Sequence, residues 1–230
     1  MATSIRPPRE RERNATRSRE LILDAAERLF AERGYEATSL SDVGREAGLS
    51  RATPGYFFGS KAELHRAVLE RCFGEVREAV RAGRERALAS GHAPEVVLAG
   101  AVSDYFDFIA ARPYFVKLIQ REALSERRAL DGLPLSLATG QEMIAALTQE
   151  LRLEDEDPAE VAQMVFSLIA LTWFPHIQGN TLGTVIGIET SAPDFLARRK
   201  RHVTDLLMGW LAARSGPSRV PPASTSRTSR

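Results

Sequence analysis

Cysteine, histidine and strand-forming patterns are scarce in this sequence, and each scarcity excludes a class of protein. A single cysteine, Cys72, in 230 residues leaves no internal disulfide. With no secretory pattern either, the expected location is a reducing cytosol. The four histidines, 65, 92, 176 and 202, are scattered without metal-ligand spacing, so no metal and no other cofactor is expected. G-x-S-x-G, H-E-x-x-H and a phosphate-cradling glycine loop are all absent from the sequence. Gly179, Gly183 and Gly187 fall in a connecting loop without the strand that a nucleotide fingerprint requires, and an enzyme is not expected. The longest apolar run, Val161 to Ile177, is broken by Gln163, Ser167, Thr172 and Pro175. It falls short of the roughly 20 residues that cross a bilayer, so no membrane partner is expected.

What is present is enough apolar material, 43%, for a sizeable core. The net charge of +1 is unevenly spread. Residues 1–19 hold six arginines against two glutamates, and the last 17 residues hold four arginines and no acid. Residues 1–16 read as a flexible basic arm and 214–230 as a disordered basic tail, either solubilising or touching phosphates.

Between these ends apolar residues recur every three and four positions, so the expected fold is all-α. A first helix is predicted near 17–33, with Gly34 as its C′ residue, and a second over about 39–47, with Asp42 three residues after Ser39 in capping-box-like spacing. Gly48 supplies a sharp turn. Ser60 and Glu63 form a second capping box, opening a long helix to about Arg86 with Leu64, Val68, Cys72, Val76 and Val80 on one stripe. Packing therefore explains Cys72 better than reactivity does. Further helices are predicted near 95–111, 113–125, 135–151, 158–178 and 193–213. Two of them, the one around Phe106 and the one around Phe166, are apolar most of the way round and must be covered on every side. The run "RRKRH" at 198–202 reads as solvated surface.

Two small helices joined by a tight glycine turn form either an ordinary helical hairpin or a helix-turn-helix, whose second helix enters the DNA major groove. The string "GYEATSLSDVGREAGLSRATPGYFFGSKAELHRAVL", Gly34 to Leu69, preceded by "RELILDAAERLFAER", resembles the TetR/AcrR family of transcriptional regulators. The order matched is Gly-aromatic, Thr-Ser, Asp-Val, Ala-Gly-x-Ser, Tyr-x-x-Phe and Ser-Lys-x-x-Leu. The resemblance implies a three-helix DNA-binding domain, here 17–77. It is joined by a long helix to a helical effector and dimerisation domain, here 78–213.

Two departures from the family pattern stand out. Gly44 replaces the usual alanine, which costs about 1 kcal/mol of helix propensity but permits close packing. Pro54 and Gly55 occupy the reading segment, with Tyr56 one place late, which turns its hydroxyl by about 100°. A proline inside a helix deletes a hydrogen bond and restricts the residue before it. The regular helix is therefore expected to start at Pro54 with Thr53 as cap, or to follow a loose turn over 50–53.

Arg51 suits a guanine edge, Pro54 a thymine methyl, and Gly55 a close backbone approach. Thr38, Thr53, Tyr56 and Lys61 suit phosphates, and Arg17 adds cation density. Ser39 and Ala52 complete the candidate DNA-binding set. Phe58 is expected to lock the short helix onto the core.

The expected partners are an operator of double-stranded DNA and a second copy of the chain, since paired heads read a palindrome. Val165, Ile169, Val203, Leu207 and Trp210 are the interface candidates. Tyr105, Phe106, Phe108, Tyr114, Gln120, Met143, Phe166, Trp173 and His176 are candidates for an apolar effector pocket, with plain core as the alternative for each aromatic. The expected function is a ligand-responsive repressor; a helical protein-interaction module with lost or weak DNA binding is the alternative.

Overall fold

The computed structural model describes residues 8–91, 93–125 and 134–215. Arm residues 1–7 and tail residues 216–230 lie outside that set. The fold is all-α, with no strand among the described residues. Its helices are α1 (Pro8–Arg33), α2 (Leu40–Glu46), α3 (Thr53–Phe58), α4 (Lys61–Ser90), α5 (Pro94–Ala110), α6 (Pro113–Ala123), α7 (Pro134–Glu150), α8 (Pro158–Gln178) and α9 (Phe195–Ser215). A π-turn, Gly179–Gly183, continues α8.

α1 begins at Pro8, nine residues before the predicted start, so residues 8–16 of the expected arm are helical. Proline is preorganised for a first helical position, and glutamates 10 and 12 favour the positive N-terminal end. Residues 12–17 are exposed. From Ile22 onwards Leu23, Ala26, Leu29 and Phe30 are buried and carry the helix into the core.

Both predicted capping boxes form. The Asp42 amide donates to Ser39 Oγ at 3.1 Å and the Ser39 amide to Asp42 Oδ2 at 3.2 Å. Ser60 and Glu63 repeat the exchange at 3.1 and 2.9 Å. These bonds satisfy amides that a helix start otherwise orphans.

α4 joins the two halves. Its early turns pack on α1 and α3, its later turns on α5 and α7, and its stripe Leu64, Val68, Cys72 and Val76 is buried. Burial pushes the Cys72 thiol pKa upward, which keeps it protonated and inert. Arg71 clamps α4 to α1 through Asp24 and Glu27, both at 2.6 Å. One apolar cluster runs from Ile22 in α1 to Leu211 in α9, so the halves share a continuous core.

Residues 158–183 are long and apolar enough by composition to cross a membrane, contrary to the sequence reading, because the π-turn lengthens α8. The stripe Val161, Met164, Val165, Leu168 and Thr172 is packed inside the bundle. α8 touches α5, α6, α7 and α9.

Candidate nucleic-acid interface and effector cavity

The candidate reading head is built on the turn between α2 and α3. Gly48 takes φ +67°, the left-handed region that glycine enters without penalty, and returns the chain across α2. The Leu49 amide then donates to Gly44 O at 2.9 Å. Gly44 is buried, and a Cβ there would lie 2.7 Å from Ser50 O, 3.1 Å from Arg51 Cα and 3.3 Å from Pro54 Cδ. The missing methyl lets the start of α3 rest directly on α2.

α3 begins at Thr53 with Pro54 in its first turn, and its N-cap is Ala52 rather than the predicted Thr53. Thr53 Oγ1 instead pairs with Ser50 Oγ at 2.7 Å, closing the turn that the sequence suggested. Pro54 is buried against α2, so its ring does not face a thymine methyl; the gap left by Gly44 receives it. The missing Cβ of Gly55 points to Leu40 Cδ1, 3.8 Å away, and not outward to a DNA backbone. Gly55 serves packing between α3 and α2.

Two proposed phosphate contacts are committed elsewhere. Thr38 is 1% exposed, and its hydroxyl donates to Gly34 O at 2.8 Å. It caps the carbonyl end of α1 and has no proton left for phosphate. Lys61 Nζ donates to Tyr35 O at 3.0 Å and sits 4.2 Å from the centre of the Tyr35 ring. The lysine that opens α4 therefore ties down the loop after α1.

What projects is a shorter set. Arg51 and Ala52 are exposed, and Arg51 makes no hydrogen bond or ion pair with any described residue. Tyr56, one helical turn beyond Ala52, is 87% exposed and makes an edge contact to Phe57. Arg17 and Ser39 are exposed as well. The Ser39 hydroxyl and then its amide hold the Asp42 carboxyl below its ordinary pKa, so this cap carries negative charge at neutral pH.

Sequence reasoning missed Arg19, whose guanidinium stacks 5.0 Å from the centre of the Phe58 ring. It brings an α1 cation to the end of α3. Its signal was present among the arm arginines but carried no periodicity. Phe57 and Phe58 pack against the core.

The second candidate site is a cavity of about 380 Å³ between α4, α5, α7 and α8. Of the predicted pocket residues, Tyr105, Phe108 and Met143 line it. Phe106 is buried core. Tyr114 and Gln120 on α6 lie outside the lining, and Phe166 and His176 are exposed. Trp173 stands behind the wall and donates its Nε1–H to Tyr105 Oη at 2.8 Å.

The room comes from small residues that sequence reading passed over, among them Ala79, Gly83, Gly100 and Ala101 on α4 and α5. Glycine inside a helix costs about 1 kcal/mol against alanine, a signal available in the sequence.

The interface candidates also divide. Val165, Val203 and Leu207 are buried within the chain, and Ile169 and Trp210 are half-buried. On α8 and α9 the outward large apolar side chains are Phe166, Phe174 and Leu206, followed beyond α8 by Leu182, Val185, Ile186 and Ile188.

Residues 22–68 match the family model for bacterial regulatory proteins of the tetR family. Residues 94–207 match that for the tetracyclin repressor-like C-terminal domain. The chain is 36% identical over 52 residues to IcaR, a negative transcriptional regulator of a biofilm operon in Staphylococcus epidermidis. It is 35% identical over 88 residues to the transcriptional activator FasR of Mycolicibacterium smegmatis. These alignments cover 23% and 38% of this chain, and 28% and 38% of the relatives' lengths. The fold is similar to FadR of Bacillus subtilis, solved in complex with stearoyl-CoA, with a TM-score of 0.62 and 19% identity over 82% of this chain and 96% of that one. The two family models follow one another in the order of the reading head and the helical bundle and together span more than two thirds of the sequence, so the chain belongs to the TetR family of transcriptional regulators.

Proposed function

We propose that this chain is a transcriptional repressor that binds a palindromic operator as a homodimer and releases it when a small molecule fills the cavity. One observation carries the reading: around the α2–α3 turn the polar groups are tied into the fold, while Arg51 and Tyr56 are left projecting. A helical interaction module has no need to hold an arginine that pairs with no described residue beside a tyrosine on a glycine-fitted helix. Arg51 addresses a guanine edge, Tyr56 a phosphate, and Arg17 and Arg19 supply further cation density.

The dimer face is assigned to the outward residues Phe166, Ala170 and Phe174 of α8, spaced by four, with Leu206 of α9 beside them. Two copies pairing here form a four-helix contact, with the reading helices about 34–36 Å apart on DNA. Coupling is supported by α4, which starts beside the reading head and lines the cavity from Val76 to Arg86. A ligand that fits one spacing of the heads better than the other shifts the population between them. FadR of Bacillus subtilis, solved with stearoyl-CoA, supports an effector in this kind of bundle.

The test is footprinting on genomic fragments followed by gel shifts at two salt concentrations. Arg51→Ala should relax preference at one base pair at a cost of about 1–3 kcal/mol. Tyr56→Phe should weaken all sequences alike. Wild-type affinity in both variants would refute the assignment of the head.

A further inference from the structure

We infer that the cavity takes an uncharged apolar molecule that offers a carbonyl-type oxygen to the Tyr105 hydroxyl. This deepens the effector reading above and rests on it. Tyr105 lines the cavity and accepts the indole N–H of Trp173 at 2.8 Å. That bond occupies a lone pair of the phenol oxygen and leaves its proton. No described residue accepts that proton, so a mostly buried donor stands in an apolar wall. A buried donor without an acceptor is unfavourable, and a ligand oxygen would relieve it. Burial also raises the phenol pKa, which keeps the group a donor at any physiological pH. The Trp173 bond fixes the position of the oxygen from behind, as expected of a group that orients a ligand.

Charge decides against an anion. Besides Tyr105, the ionisable residues among the described lining are Arg86, Asp104 and Glu150. Arg86 is ion-paired with Asp104, so the one cation among the described lining is committed and the further charged group there is a carboxylate, Glu150. A phosphate or carboxylate head would lose its water and meet no unpaired positive charge among the described lining residues. The remaining wall is aliphatic or aromatic, with Val80, Val97, Phe108, Met143, Leu147 and Leu168. About 380 Å³ lies toward the small end of pockets for compact ligands. This lining differs from what an acyl-CoA head would need, although the fold is shared with a protein that holds one.

The experiment is calorimetric titration of the full chain with matched head groups on two apolar bodies. The neutral probes are 2-acetylnaphthalene and 2-decanone. Their charged counterparts are 2-naphthoate and decanoate, then 2-naphthylmethylamine and decylamine. At least one ketone should bind about tenfold tighter than both of its charged counterparts. Tyr105→Phe should lose about that tenfold, the scale of one hydrogen bond, with charged probes unaffected. Tyr114→Phe, which removes a hydroxyl outside the lining, should keep the ketone affinity and guards against misreading a general packing defect. Preference for the carboxylate or the amine, binding of neither ketone, or unchanged ketone affinity in Tyr105→Phe would each overturn the inference. A gel shift run in parallel separates it from the effector reading. Ketone binding without DNA release sinks that reading alone, whereas release by a carboxylate sinks the ligand class alone.

Discussion

Gly44 and Pro54 each depart from the family pattern, and the structure makes them a single feature. A methyl on residue 44 would press on the backbone of Ser50 and Arg51 and on the Pro54 ring, all within 3.3 Å. Backbone atoms cannot rotate away as a flexible side chain can, so α3 itself would have to move. Gly44→Ala should gain about 1 kcal/mol of helix propensity and lose more to overpacking, about 1–3 kcal/mol. Gly55→Ala is the control with the opposite sign. Its methyl meets Leu40 at an ordinary 3.8 Å, so only the propensity gain remains. Urea denaturation of both variants should give shifts of opposite direction, and operator affinity should fall in the first alone. Two destabilisations, or two gains, would break the link between Gly44 and the reading helix. The sequence showed both unusual residues but not that one makes room for the other, because their contact spans a turn whose path only the fold defines.

At the scale of the element, the helix ends marked by a capping box or, from α5 to α8, by a proline were more legible than helix faces, whereas the start of α1 was not. Ser39 with Asp42, Ser60 with Glu63, and prolines at or near the first helical positions of α5 to α8 mark where amides must be satisfied or removed, and these are local signals. The rotation of α8 had no such signal. It is apolar on nearly every face, so periodicity could not tell inside from outside. Val165 and Phe166 differ by one residue, or about 100° of rotation, and Val165 faces inward and Phe166 outward, the reverse of the sides that the sequence suggested. Val165 is 5% exposed and Phe166 68%. On α9 the same exchange sets buried Leu207 beside outward Leu206. Substitution separates the faces. Phe166→Glu should leave thermal stability of the isolated protomer little changed, convert a dimer to a monomer in sedimentation analysis, and reduce operator affinity. Leu207→Ala should cost about 2–5 kcal/mol of fold stability by opening a cavity. A dimer persisting in Phe166→Glu at micromolar concentration would place the interface elsewhere.

For the whole molecule the decisive contacts are those between the reading head and the bundle, and these were the least legible, since they join residues far apart in sequence. His65 on α4 and Glu122 on α6 are both nearly fully buried, with Nε2 and Oε1 3.0 Å apart. Their geometry is that of a close ionisable pair rather than an aligned hydrogen bond. The rings of Phe30 and Tyr35 meet His65 edge-on at 4.8 and 5.0 Å and shield it from water. Next to Glu122, Arg121 donates to Ala31 O at 2.8 Å and Glu32 O at 2.7 Å, reaching the carbonyl end of α1. α6 thereby grips both helices that carry the reading head. Removing either side chain opens a hole in a fully packed contact between α4 and α6, so each single substitution should be destabilising. Their effects should not add. A double-mutant cycle with His65→Ala and Glu122→Ala, read by chemical denaturation, should return a coupling of about 0.5–3 kcal/mol. Arg121→Ala touches an exposed side chain, so it should leave overall stability nearly intact. It should lower the protection of α1 carboxy-terminal amides in hydrogen exchange, because the last turn of α1 loses the guanidinium that holds its carbonyls. Strict additivity in the cycle, together with unchanged exchange in Arg121→Ala, would mean that α6 lies against the head without holding it.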